Sequence, residues 1–291
     1  MKIGTYLFQL PATLLICLLL TEPSTAQLER ERALPDAPVD HIFWATSNVG
    51  LNTVLGMPSG NLNSTVLHTF GLVDGGIDRF FGLDDGANTR IGIEAGIHDR
   101  FDLGLGRMTF NNIVDLRGKW NLIRQKRDDS RPLDLALSFS LLTNTQSGMG
   151  FDFGDRLAWH SSVMIARKIN GLTLQLSPMI AWYNAPEAHF FPASADTPDR
   201  LIGLGIIAFY ELNDRFALSG EYLPVLGDRN PGSEDTMGWA LHIDTGGHTF
   251  QIFLTSSQWH NEAHMMANNR HNFLEGEFRF GFNIHRVFGL R

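Results

Sequence analysis

The chain has 291 residues, of which 43% are hydrophobic and 29 are glycine, with a formal net charge of −8; this suits one large or two ordinary domains. The acidic balance argues against a nucleic-acid partner. Cys17, the only cysteine, lies in a leader expected to be removed. Disulfides and thiolate metal sites are therefore excluded from the mature chain, and the fold must rest on packing and backbone pairing.

Lys2, the apolar run Leu14 to Leu20 and then Ser24-Thr25-Ala26 read as a secretory signal over 1–26, with cleavage expected after Ala26. The run is too short to span a membrane, and no stretch of 18 apolar residues follows it, so no membrane helix is expected downstream. Residues 27–60 form a leader. Its first part, 27–40, is charged and carries Pro35 and Pro38, with no visible core. Its second part, His41 to Gly60, mixes apolar and turn residues without a clean period and could pack inside or beneath a barrel as a small plug.

Residues 61–291 carry about twelve candidate strands, a number typical of membrane barrels. They fall near 61–70, 89–97, 101–107, 113–120, 133–139, 156–169, 172–178, 201–212, 216–226, 237–244, 248–258 and 277–288. Short turns at His98-Asp99, Asn170-Gly171, Asn213-Asp214 and Gly246-Gly247 lie on one side. Asn-Gly is the strongest of these hairpin signals. The connections of opposite parity, 72–88, 144–155, 184–199, 227–236 and 259–275, are long and polar. Short turns against long loops, with an even strand number that leaves both ends on the short-turn side, is the outer-membrane arrangement. Two connections depart from it: 109–112 is short where it should be long, and 124–131 is long where it should be short.

Alternation is sharpest in the last strand, where Phe278, Phe280, Phe282 and Ile284 share one face and Glu277, Arg279, Gly281, Asn283 and His285 the other. A secreted sandwich shows the same period, so other features must choose. The strands are about 9 to 13 residues long, near the length that crosses a bilayer at a tilt. The polar parity holds Arg90, Glu94, Asp102, Asp115, Arg117, Lys119, Asp134, Glu211, Glu221, Asp244, Glu277 and Arg279, interleaved with glycines such as Gly92, Gly104 and Gly106. Both signs of charge among small residues suit a concave lumen, since glycine on a convex surface would weaken strands without packing gain. Trp120, Trp159, Trp182, Tyr183, Tyr210 and Tyr222 fall toward strand ends, as girdle aromatics do. Arg107, Arg167 and Arg286 take the apolar parity near strand ends, where they can snorkel. The expected fold is all-β: a closed, antiparallel, up-and-down transmembrane barrel of about twelve strands.

Gly246-Gly247-His248-Thr249-Phe250-Gln251, Thr255-Ser256-Ser257-Gln258 and Arg279-Phe280-Gly281-Phe282-Asn283-Ile284-His285-Arg286-Val287-Phe288 resemble the outer-membrane barrel family called domain of unknown function 5777. Further matches are Lys119 to Gln125, Arg167-Lys168 before the Asn-Gly turn, Ser177-Pro178 and Glu221-Tyr222. Thr69 stands where the family carries an arginine. The resemblance covers most of 41–290. It implies fold and location, and no activity.

Several chemistries are weighed on the residues. His260, His264 and His271 form the best histidine cluster. The i, i+4 spacing of the first two suits a helix, but Glu262 does not fall in the His-Glu-x-x-His order, and no metal or cofactor is assigned. A hydrolase needs a serine within reach of a histidine base; His160 and Ser162 share the lumenal parity and are read as part of a wet polar interior. Twelve strands leave a narrow lumen, and its charges of both signs give no one-sign selectivity ring. The favoured reading is a narrow pore for small solutes in the outer membrane of a Gram-negative cell, in contact with outer-membrane lipid. Its lumen lining is Arg90, Glu94, Asp115, Arg117, Lys119, Asp134, Glu211, Glu221, Asp244, Glu277 and Arg279. The alternatives are a closed structural barrel and a binding module that works through loops 184–199 and 259–275, with His189, Phe190, Phe191 and Pro192 as its contact.

Overall fold

A strand that is apolar on one face and ionised on the other needs two different surroundings, and a closed sheet supplies them without leaving an edge of unpaired N–H and C=O groups. The computed structural model describes residues 36–194 and 196–289; the expected signal segment 1–26 and leader residues 27–35 lie outside the described residues. The twelve strands are β1 (Asn61–Leu72), β2 (Asn88–His98), β3 (Phe101–Met108), β4 (Ile113–Ile123), β5 (Asp134–Asn144), β6 (Leu157–Ile169), β7 (Leu172–Tyr183) and β8 (Arg200–Glu211), then β9 (Phe216–Leu223), β10 (Thr236–Asp244), β11 (His248–Thr255) and β12 (Arg279–Gly289). Beyond Pro224, β9 resumes as Val225–Leu226. Each strand pairs antiparallel with its neighbours in sequence, and β1 pairs with β12 from Asn61–Gly289 to Leu72–Arg279, so the sheet closes. The last strand starts at Arg279 and not at Glu277, which lies in the preceding turn.

Burial decides which face looks outward. On β2, Ile91 is 62% exposed and its neighbour Arg90 1%. On β4, Trp120 is 53% exposed, whereas Asp115, Arg117 and Lys119 are buried. A convex wall of isoleucine, leucine, phenylalanine and tryptophan over an ionised interior fits acyl chains outside and excludes the sandwich. Phe280 on β12 is likewise outward. Trp159, Trp182, Tyr210 and Tyr222 face out, but Tyr183 is a correction to the girdle: it turns inward and its hydroxyl donates to the Ala263 carbonyl at 2.6 Å.

The interior is packed. One insert, residues 42–57, enters and leaves at the short-turn end; it doubles back where Thr53 N donates to Thr46 O at 2.9 Å. The second comes from the long-loop end and carries helix α1 (Glu262–Asn268), capped where Asn261 Oδ1 accepts from His264 N at 2.8 Å. Against the expectation of a uniformly polar lumen, the inward face of β5 to β9 is largely apolar: Met164, Met179, Leu201, Ile207, Phe209 and Leu223 pack against Leu51, Val54, Met265 and Met266. The glycines serve this packing. A β-carbon on Gly96 would strike the Pro58 carbonyl, and one on Gly106 would strike the Arg90 guanidinium.

The long connection at 124–131 has a structural reason. Residues 37–40 lie across it, with Val39 N donating to Gln125 O at 2.8 Å, Arg127 N to Ala37 O at 3.1 Å, and Arg127 paired with Asp40. The short connection at 109–112 is closed by a 3-10 turn, Phe110–Asn112, with Asn111 and Asn112 in the left-handed region that asparagine tolerates.

Candidate functional site: the lumen and its two inserts

A peptide segment tucked inside a closed barrel cannot join the strand ladder, so its backbone groups need side-chain partners. Residues 46–57 find them on the lumenal parity of β2, β3, β4, β7, β9 and β12. Glu221 on β9 accepts from Asn48 Nδ2 at 3.1 Å, Gly50 N at 2.9 Å and Leu51 N at 3.3 Å. Gln175 on β7 accepts from Val54 N at 2.7 Å and donates to Asn52 O at 2.8 Å. Asp102 accepts from Met57 N at 3.0 Å, and Asn121 donates to Val54 O at 2.7 Å. Lys119 donates to Leu55 O at 2.6 Å, and Asn283 to Val49 O at 2.9 Å. Glu94 accepts from Thr46 Oγ1 at 2.5 Å and Asn63 Nδ2 at 3.1 Å.

Midway, one arginine joins everything. Asp115 on β4 receives Arg90 Nε and Nη2 at 2.9 and 2.7 Å and Arg117 Nε at 2.6 Å, all three side chains buried. Such a triad is held by its geometry, because an unpaired member would leave an uncompensated charge. So fixed, Arg117 reaches both inserts, donating from Nη1 to Asn52 Oδ1 at 3.3 Å and from Nη2 to His260 O at 2.9 Å. Asn52 N in turn donates to Glu262 Oε1 at 2.8 Å. The segment from one end and the helix from the other meet there.

Of the residues read as lumen lining, Arg90, Glu94, Asp115, Arg117, Lys119 and Glu221 are brought together in this network. Asp134 is buried at the short-turn end, accepting from Gln125 N at 3.1 Å, and Arg279 is buried at the start of β12. Three others lie at the mouths. Glu211 pairs with Lys168 at 2.7 Å and accepts from Trp44 Nε1 at 3.1 Å, Asp244 caps its turn by accepting from Gly246 N at 2.7 Å, and Glu277 accepts from Asn272 N at 2.8 Å. Gln175, Asn121, Asn283 and Glu262 were missed. The first three share the lumenal parity, a signal open to inspection, but their lack of charge hid them; Glu262 sits in a loop without a period.

His260, His264 and His271 each meet a different group. His260 Nε2 bonds Asn88 O at 3.1 Å, His264 Nδ1 bonds Asn261 Oδ1 at 3.0 Å, and His271 lies 3.8 Å from Glu277. Among the described residues no three His, Cys, Asp or Glu gather as a metal site. Ser162 bonds Ser138 at 2.7 Å rather than His160. The aromatic loop residues fold inward: His189 and Phe190 are buried, and Phe191 stacks on Trp259 at 6.1 Å. Burial pushes the His260 imidazole down to about 3 and that of His189 to about 4. Burial raises the Glu262 carboxyl, but His160, Arg117 and the Asn52 N–H outweigh it and leave it low.

Residues 43–288 match the membrane bound beta barrel domain (DUF5777). The chain belongs to that family. As a member of it, the protein is a membrane-bound barrel, with the network above inside its wall. No curated protein matches it. Among solved structures, the barrel is similar to the NanC porin (TM-score 0.49, 9% identity, covering 79% of this chain and 99% of that one). It is also similar to the KdgM porin (0.49, 9%, covering 78% and 99%). A third is an outer membrane channel from Pseudomonas putida F1 (0.46, 13%, covering 80% and 97%). At that superposition these likenesses say nothing of what this barrel does.

Proposed function

We propose that this membrane-bound barrel is an outer-membrane pore for small solutes whose lumen is closed by its own N-terminal segment. The observation that carries this is the way residues 46–57 are held, by hydrogen bonds to wall side chains rather than by the ladder. Those bonds can be released without opening the sheet, and a released segment leaves the polar side of β1 to β4 facing water. Hollows of 540 and 280 Å³ already flank Trp44 at the short-turn mouth, whereas only about 10 Å³ remains beside Arg117 and Lys119. That mouth faces the periplasm in this reading.

A second reading, a permanently closed structural barrel, draws on the packing of Leu51 and Val54 against Met265 and Met266. Single-channel recording separates the two. The refolded mature chain is expected to be mostly silent in a planar bilayer, and a chain lacking residues 27–57 to conduct steadily. A folded but silent deletion would leave only the closed barrel. No reaction is proposed: Ser219 Oγ lies 2.7 Å from His242 Nε2, but both side chains are buried in the packed lumen and, among the described residues, no carboxylate meets the other ring nitrogen.

A further inference from the structure

A concavity of 690 Å³ lies on the outside of the wall. Its floor is a single register row crossing six strands: Leu103, Gly118, Phe139, Ser161, Ile180 and Ile202, each paired with the next. Along this row Gly118 and Ser161 stand where outward neighbours carry rings and branched chains. The parallel row of Trp120, Leu137 and Val163 forms one rim, and Leu116 begins the other. Gly118 and Ser161 are the two small side chains of the row, and the space they leave on either side of Phe139, below the rims, makes a trench.

Two features say that the trench is not a by-product of packing. A β-carbon on Gly118 would sit 3.5 Å from Leu103 Cδ2, an ordinary contact, so neither close packing nor a turn demands glycine there. Glycine inside a strand weakens it, and its presence marks a place where something else approaches. Three strands along the same trench, Pro178 occupies mid-strand in β7, where proline is disfavoured because it cannot donate to the ladder. The pairing of β6 with β7 passes from Ser162–Met179 to Ile165–Leu176 across it.

We infer that this trench is a binding site for one acyl chain of a membrane phospholipid. Gly118 and Phe139 are the central residues of β4 and β5, which puts the trench at the middle of the hydrocarbon layer, where head groups and water are absent. Its size is that of small-molecule sites, and its lining is continuous with the lipid-facing wall. A second copy of the barrel is convex there and would rest on the rims. In lipid the gain comes from close packing rather than from leaving water, and a trench gives a chain contacts on three sides.

The test is native mass spectrometry of the full chain refolded in phosphatidylethanolamine and phosphatidylglycerol vesicles and extracted into mild detergent. Wild type is expected to retain one phospholipid at five-fold or more the level of Gly118→Leu or Ser161→Leu. Ala208→Leu, a comparable enlargement on the outward face of β8 away from the trench, should behave as wild type. Heat-modifiable gel migration reports folding, and Ser161→Leu, at a half-exposed site, serves if Gly118→Leu misfolds. Equal retention in the filled variants, no retained lipid in wild type, or a dimer cross-linked across Trp120 would each overturn the inference.

Discussion

Glu221→Ala is the most direct probe of the N-terminal insert. The substitution removes the acceptor for Asn48 Nδ2, Gly50 N and Leu51 N at the turn where the segment reverses. A buried donor left unpaired costs about 1–3 kcal/mol. Three of them sharing one acceptor, and therefore not additive, amount to about 3–6 kcal/mol. Each 1.4 kcal/mol is a factor of ten, so release of the tip should become roughly 100- to 10,000-fold more frequent. Hydrogen exchange at the Gly50 and Leu51 amides reads this directly, with the amides of β4 as an internal reference for the intact wall. Glu221→Gln, which keeps one acceptor oxygen, should fall between. If Gly50 and Leu51 exchange at wild-type rates in Glu221→Ala while the mutant folds, the carboxylate does not hold the segment, and the plug reasoning fails with it.

Three further outcomes follow from the same geometry. Gly106→Val drives a side chain into the space of the Arg90 guanidinium and breaks its hold on Asp115; a loss of about 3–5 kcal/mol, the cost of unpairing a buried charge, should appear as a lowered thermal transition in detergent. Leu116→Arg places a charge at mid-strand on the outward face and should cost about 2–4 kcal/mol in a bilayer, measured by urea titration in vesicles; no change would mean that the face does not meet lipid. Acid should loosen the long-loop cap. His260 and His189 stay neutral down to about 3 and 4 when buried, whereas opened they take a proton from about 6.5. Stability of the cap is therefore full above 6.5 and falls as pH drops toward 4, by about 2–3 kcal/mol per histidine near pH 4.5. Proteolysis within 259–270 should rise over that window and not between pH 7 and 9.

The sequence by itself determined the wall. Period two is a local property of the chain, so the strands, the short turns with Asn170-Gly171 among them, and the outward face of Ile91, Trp120 and Phe280 were all legible residue by residue. Six charges of the lumenal network were legible for the same reason, since parity alone sends Arg90, Glu94, Asp115, Arg117, Lys119 and Glu221 inward. What occupies the inside was decided only by tertiary structure. Residues 42–57 have no period because they form no element, and their partners Glu221, Gln175 and Asn283 lie more than a hundred residues away. Closure of the sheet sets those distances, and no local pattern encodes them. The same holds for the apolar half of the lumen, where parity turns Met179 and Leu201 inward but only the inserts supply what covers them, and for the trench, whose row exists only once six strands are in register.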